Sequence, residues 1–284
     1  MVDGVPMSAL VAAVEHPRAV IVAVHGGATS GVYFDCPGHP RLSLLRLSAT
    51  HGVTAIALDR PGYGVSALYQ DELTQPDKRL ALAFGAVDQL VAPGLRGAGV
   101  FLVGHSAGCE LALRMAVDER GADVFGIEVA GTGMNYSAKA KDILRQATAT
   151  HRPAGLRDLL WQPTELYPAE VLTGALSAPG VAYEAEVTAN WPRRDFPAVA
   201  AKVLVPVEFS VADHESVWET TPAALAEIAA SFTASRRVVV NEVAHSGHNV
   251  SVGLTADAYH RKVLSFIEEC IVAREGSDSE VEAI

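Results

Sequence analysis

Gly99-Val-Phe-Leu-Val-Gly104-His105-Ser106-Ala107-Gly108-Cys109-Glu110-Leu-Ala-Leu-Arg-Met-Ala-Val117 changes its period halfway along. Residues 99–103 are an unbroken apolar run, the pattern of a strand buried on both faces of a parallel sheet. From Cys109 the apolar residues recur at i, i+3, i+4, i+7 and i+8 (Cys109, Ala112, Leu113, Ala116, Val117), which is one face of a helix. Glu110, Arg114 and Asp118 fall four apart on the opposite face, with Glu110 and Arg114 in the favourable order for an ion pair. Between strand and helix lies Gly104-x-Ser106-x-Gly108. A turn that sharp strains the central residue and leaves no room for a Cβ on either flank. It lifts the Ser106 hydroxyl clear of the sheet, where the helix N-terminus and the Ala107 N–H favour negative charge. A tight structural turn with an incidental serine would use the same residues. The flanking buried strand and amphipathic helix are what the chemical reading requires.

The rest of the composition bounds the class. A chain of 284 residues, about half hydrophobic, suits one large α/β domain with room for an inserted subdomain. No apolar run reaches membrane-spanning length, and Met1-Val-Asp-Gly-Val-Pro6 lacks a basic-then-apolar leader, so a soluble, cytoplasmic protein is expected, with no membrane partner. A formal charge of −11 argues against nucleic acid as a partner. Cys36, Cys109 and Cys270 are scattered and odd in number, so free thiols are expected, Cys109 as a small core residue. No motif calls for a cofactor or a metal.

In chain order, Leu10–Val14 reads as a short antiparallel entry strand and Ala19–Val24 as a buried strand. The latter runs into His25-Gly26-Gly27-Ala28-Thr29-Ser30-Gly31. A glycine pair directly after a core strand lets backbone N–H groups face a ligand, the second position where a serine hydrolase needs an oxyanion donor. An ordinary Gly-rich connection would look the same. Residues 40–50 read as a helix and Val53–Leu58 as a strand. The turn Asp59-Arg60-Pro61-Gly62-Tyr63-Gly64-Val65-Ser66 is rich in shape-fixing residues and reads as scaffolding. A helix over 76–91, the opening unit, and a strand over 123–130 follow. Strands and helices alternating at this spacing call for right-handed crossovers and a mostly parallel, doubly wound sheet.

From about Met134 to Asp195 the alternation stops. Residues 136–149 and 155–161 look helical, and the remainder to Trp191-Pro192 is broken by prolines. The expected organisation is a core over 1–133, a helical cap inserted at 134–195, a second core part over 196–274 and a disordered acidic tail at 275–284. Trp161, Tyr167, Tyr183 and Trp191 are candidates to line a substrate pocket, although simple packing accounts for such aromatics too. Lys139, Lys141, Arg145, Arg152 and Arg157 outnumber Asp142 in one span. That is either a solvated helix face or a site for an anionic or carrier-bound substrate. The sheet is expected to resume over 202–210, turn through Val211-Ala212-Asp213-His214-Glu215, and return over 236–243. Ala244-His245-Ser246-Gly247-His248-Asn249 and a last helix over 256–274 complete the chain.

A serine hydroxyl needs a base within reach, and the base needs a carboxylate to fix its tautomer. After Ser106 the strand ends deliver an acidic cluster, Asp213 and Glu215, then a histidine cluster, His245 and His248. Serine, acid, histidine is the order this architecture uses. At these positions the chain resembles the α/β-hydrolase superfamily over nearly its full length. The matching pieces are His25-Gly26-Gly27, Asp59-Arg-Pro-Gly-Tyr-Gly-x-Ser66, Gly104-His-Ser-Ala-Gly108, Val205-Pro-Val207 leading to Ala212-Asp-His-Glu215, and Ser246-Gly-His248-Asn249. The resemblance implies an α/β-hydrolase fold, Ser106 as nucleophile, His248 as general base and the N–H groups of Gly27 and Ala107 as an oxyanion hole. The acid departs from the family pattern. Laid on that pattern, Glu215 stands where the aspartate usually is and Ala212 replaces a glycine, so Glu215 is the choice and Asp213 its rival. His245 is the rival to His248.

The implied activity is hydrolysis of a small-molecule carboxylic ester or thioester, free or carrier-bound, through an acyl-enzyme. The alternatives are a lyase or C–C bond hydrolase of the same fold, and a non-catalytic ligand-binding homologue. An intact Ser/acid/His set argues against the last.

Overall fold

The structure is a computed structural model that describes residues 1–146 and 153–282, with side chains through residue 276. The described residues form a seven-stranded sheet in the order β1-β3-β2-β4-β5-β6-β7. The strands are β1 (Ala9–Ala12), β2 (Ala19–Val24), β3 (Val53–Leu58), β4 (Val100–His105), β5 (Val124–Ala130), β6 (Val207–His214) and β7 (Val238–Gly247). Only β1 is antiparallel, pairing with β3 from Ala9↔Leu58 to Ala12↔Ala55, and every other neighbouring pair is parallel. Every residue of β2, β3, β4 and β5 is buried. That burial explains why these strands read as continuous apolar runs and not as alternating ones. Each fully buried Val, Leu or Ile contributes about 1.5–3 kcal/mol of transfer free energy.

Helices cover both faces. One face packs beneath α1 (Leu44–Thr50) and α10 (Ala256–Glu282), with Leu44, Leu45, Tyr259, Val263 and Ile267 in its core. The other packs beneath α2 (Pro76–Leu90), α3 (Gly108–Val117), α8 (Phe196–Ala200) and α9 (Pro222–Ser231). Between β5 and β6 the chain also forms α4 (Ala138–Leu144), α5 (Leu156–Trp161), α6 (Ala169–Leu172) and α7 (Glu184–Asn190). Ala149 and Arg152 lie outside the described residues.

Strand order sets where a ligand can sit. The chain goes from β2 to β3 on one side, then crosses to β4 on the other, so β2 and β4 flank the switch point. The crevice outside the carboxyl ends of the strands at such a point is where open α/β sheets bind ligands. The loop after β2 begins at His25 and the turn after β4 holds Ser106.

Three sequence expectations are corrected. The strand expected over 202–210 starts at Val207, because the amides of Lys202 and Val203 bond back to the carbonyls of Val199 and Ala200 and close the end of α8. It then runs through the expected turn to His214. β7 likewise extends past Val243 to Gly247. There the carboxylate of Asp213 accepts the amides of His245 and Ser246 and stitches the two strand ends together. The acidic stretch expected to be a disordered tail continues α10 to Glu282, since extending an existing helix adds one hydrogen bond per residue fixed. Glu110, on the face of α3 opposite its apolar stripe, is itself buried. Its carboxylate accepts from Arg114 Nε at 2.6 Å, the pair the sequence suggested, and from the buried Arg79 Nη2 at 3.0 Å.

Candidate active site

Ser106 sits at the turn between β4 and α3 with φ +52, a left-handed conformation that a residue with a Cβ seldom adopts. Its amide donates to the Ala130 carbonyl at 2.8 Å, and its carbonyl accepts the Cys109 amide at 3.0 Å, so both neighbours of the turn hold the strain in place. Gly108 is required by space: a Cβ there would lie 2.3 Å from the Val24 carbonyl oxygen and 2.4 Å from that of His25. At Gly104 a Cβ would crowd Cys109 Cα at 3.1 Å.

Three side chains named from sequence converge here. Ser106 Oγ lies 3.1 Å from His248 Nε2. Across the ring, His248 Nδ1 lies 2.9 Å from Glu215 Oε2 and 3.1 Å from Oε1. A carboxylate only accepts, so Nδ1 carries the proton and the bare Nε2 faces the serine hydroxyl as an acceptor. Burial pushes the Glu215 carboxyl up, but the adjacent His248, the hydrogen bond to it, and the N–H groups of Val217 and Trp218 outweigh that. The carboxyl is held below its ordinary range. His248 and Glu215 side chains are buried, while Ser106 is partly exposed. The protein therefore keeps water from the hydrogen bond between His248 and Glu215 and leaves the hydroxyl accessible.

The rival residues point elsewhere. Asp213 is engaged with the amides of His245 and Ser246, and those two bonds hold its carboxyl below the usual range despite partial burial. His245 is exposed, with φ +52, at the strand end that Asp213 ties down. Both shape the loop before His248 and neither approaches Ser106 in any described hydrogen bond.

The His248 backbone is fixed by a residue the sequence reading passed over. His105 Nε2 donates to the His248 carbonyl at 2.9 Å, and its ring stacks on Tyr33 at 4.5 Å. Burial, then the neighbouring His248, depress His105 to about 3, so it stays a neutral donor. Tyr167 acts from the other side: its hydroxyl accepts the Asn249 amide at 3.2 Å.

The two amides the sequence singled out, of Ala107 and Gly27, belong to the segments that meet at Ser106. Ala107 is the N-cap residue of α3, whose N-terminus favours negative charge. The Gly26-Gly27 turn comes close to the elbow, since a Cβ on Gly26 would sit 3.1 Å from Ser106 Cβ. Among the described residues neither the Gly27 nor the Ala107 amide donates to the protein. The glycine pair therefore matters as approach space.

Of the aromatics considered for a pocket, Trp191 is buried and donates from Nε1 to Thr132 Oγ1 at 3.0 Å. Trp161 packs edge-on against Tyr167 at 5.2 Å, and the Tyr183 hydroxyl donates to the Pro61 carbonyl at 2.8 Å. A recess beside Glu215 is instead lined by Gly131, Thr132, Phe209 and Trp218, and Trp218 Nε1 donates to the Gly131 carbonyl at 2.8 Å. Sequence reasoning missed Trp218, Glu184 and the site role of Arg60. The first stands three residues past Glu215, and the last was legible in the Asp-Arg-Pro-Gly turn only as scaffolding. In the cationic run, Lys141 lies 3.5 Å from Glu219, Arg145 lies 3.0 Å from Asp142, and Arg157 donates to the Leu172 carbonyl.

A family model described as the alpha/beta hydrolase family matches residues 21–261. No curated protein matches the sequence. Among solved structures, the chain is similar to a monoacylglycerol lipase from Paleococcus ferrophilus at 18% identity and a TM-score of 0.62, covering 95% of this chain and 99% of that one. It is similar to an esterase from Exiguobacterium antarcticum at 14% identity and a TM-score of 0.66, covering 94% and 97%. A thioesterase domain from the curacin biosynthetic pathway aligns at 17% identity and a TM-score of 0.58, covering 91% and 99%. At these identities the likeness is one of fold.

Proposed function

This chain belongs to the alpha/beta hydrolase family, and from that premise we propose that it is a serine hydrolase that cleaves a carboxylic ester or thioester through an acyl-enzyme on Ser106. The observation that carries this reading is the unbroken line Ser106 Oγ, His248 Nε2, His248 Nδ1, Glu215 on a strained strand-to-helix turn.

His248 takes the hydroxyl proton as Ser106 Oγ attacks the acyl carbonyl carbon. Charge develops on the carbonyl oxygen, where the amides of Gly27 and Ala107 and the N-terminus of α3 can receive it. The imidazolium formed is stabilised by Glu215, whose low carboxyl range keeps it ionised. His248 then protonates the leaving alkoxide or thiolate, and the alcohol or thiol departs. Water, deprotonated by the same histidine, attacks the acyl-enzyme and releases the acid with Ser106 regenerated.

Partly exposed Ser106 suits a small acyl group, and the partners that Lys141, Arg145 and Arg157 already have within the protein favour a neutral substrate over a carrier-bound anion. The test is turnover of a p-nitrophenyl acetate-to-octanoate series and matching acyl-CoAs, with acyl-enzyme trapped by acid quench. Turnover with a transient acyl adduct supports the reading, and turnover without one contradicts it.

A further inference from the structure

The loop that carries Gly27 is held largely by residues distant in sequence. Ala28 has φ +53, which for a residue with a Cβ needs external support. Its amide donates to the Tyr63 hydroxyl at 3.0 Å, and its carbonyl accepts the Ala178 amide at 2.9 Å. On the other side of Gly27, the Gly26 carbonyl accepts from Arg60 Nη2 at 2.9 Å and from His25 Nδ1 at 2.8 Å. His25 Nε2 in turn accepts the Arg60 amide at 3.0 Å.

Arg60 and Tyr63, which grip the peptide units flanking Gly27, both converge on one carboxylate from α7. Glu184 pairs with Arg60 Nη2 and accepts from the Tyr63 hydroxyl at 2.8 Å. The Arg60 side chain is 2% exposed and that of Glu184 16%, so water screens this pair little. Glu184 also lies against the glycine itself: a Cβ on Gly27 would sit 3.3 Å from its Oε2. Arg60 Nε has no hydrogen-bond partner, so the guanidinium relies on Glu184 and the Gly26 carbonyl.

We propose that Glu184 is a positioning residue for the oxyanion hole, locking Arg60 and Tyr63 so that they hold the Gly27 N–H toward the carbonyl oxygen bound at Ser106. The inference rests on the serine-hydrolase reading. Docking of α7 on the core and assembly of the oxyanion hole are then one event. Without the carboxylate, the Tyr63 hydroxyl loses its acceptor and is free to turn from Ala28, and a buried cation is left half-paired. The left-handed Ala28 then relaxes and carries the Gly27 amide with it.

The test uses the full chain with Glu184→Gln, Tyr63→Phe and the double variant, on the fastest ester of the p-nitrophenyl series, with circular dichroism and Tm as checks of folding. A displaced oxyanion donor should lower kcat about 10²-fold in each single variant with KM changed less than about threefold. Affinity for a trifluoromethyl ketone, whose adduct with serine bears the oxyanion, should fall in proportion to kcat. Residues acting as one unit should be non-additive, so the double variant should be no slower than the slower single. A kcat loss with unchanged ketone affinity, or additive losses, would overturn the proposal, as would wild-type kcat in folded variants. If Glu184→Gln does not fold, Tyr63→Phe decides the question by the same two readouts. Ser106→Ala separates the two levels. Retained turnover there sinks the serine-hydrolase reading itself, whereas its loss beside active Glu184 and Tyr63 variants sinks only this inference.

Discussion

Glu215 meets Nδ1 of His248 with both carboxylate oxygens, at 2.9 and 3.1 Å, although the two residues are 33 positions apart and belong to different strand ends. Asp213, two residues earlier, is occupied by backbone amides. Glu215→Gln should therefore lower kcat by about 10³–10⁴-fold, because an amide can present the wrong tautomer to the imidazole and cannot stabilise the imidazolium. Asp213→Asn should change kcat less than about tenfold and act mainly on stability, through the loop it ties. Steady-state kinetics and urea unfolding on both variants check the pair, and the reverse ranking would make Asp213 the acid.

The elbow glycine makes a prediction about stability. Gly108→Ala forces a Cβ to within 2.3 Å of the Val24 carbonyl oxygen, a backbone atom of the central sheet that cannot swing aside. Overpacking against backbone costs typically about 1–3 kcal/mol or more. The variant should show a lower Tm and a greatly reduced kcat together, and a wild-type Tm would contradict the packing described.

Much of this was legible from residues alone, for identifiable reasons. Ala19–Val24 and Val53–Leu58 were placed to the residue, since strands covered on both faces leave an unbroken apolar run. Ser106 was visible because its turn demands glycine on either side. The choice between Asp213 and Glu215 needed a family pattern, because a register shift between Ala212 and His214 decides which carboxylate faces the histidine. Glu184 was illegible. Its partner Arg60 lies 124 residues away, and its helix sits in a segment without a sheet-forming or long helical period. The burial of Glu110 was likewise illegible, because its second partner, Arg79, is on another helix.

Acid sensitivity follows from His260, which is fully buried with neither ring nitrogen hydrogen-bonded, and is depressed to about 3 by burial. The unfolded chain takes up its proton below about 6.5 and the native chain does not, so this residue destabilises the fold progressively as pH falls from about 6.5 toward 3. Glu208 works in the opposite direction. Burial raises it to about 7, so falling pH between its unfolded value and 7 favours the native state. A difference measurement isolates the histidine. Between pH 7 and pH 5, His260→Leu should lose about 2 kcal/mol less unfolding free energy than the wild type. Equal losses would show that His260 titrates alike in both states.

Salt separates the two readings of the cationic run between Lys139 and Arg157. Lys141 and Arg145 have carboxylates within 4.0 Å, and Arg157 is engaged with a carbonyl. Raising ionic strength to about 0.5 M should therefore change kcat/KM for an acyl-CoA and for a neutral ester by similar factors. A tenfold or larger fall confined to the acyl-CoA, relieved in Arg157→Glu, would establish an anionic or carrier-bound substrate instead.

The central claim is that Ser106 is the nucleophile, and covalent labelling tests it most directly. Intact mass spectrometry after treatment with a fluorophosphonate should show a single adduct that maps to Ser106, with no adduct on Ser106→Ala. That variant should retain the wild-type Tm, because the partly exposed hydroxyl contributes little packing, while hydrolysis falls by about 10³–10⁶-fold. An adduct that persists in folded Ser106→Ala, or maps to another residue, would contradict the account.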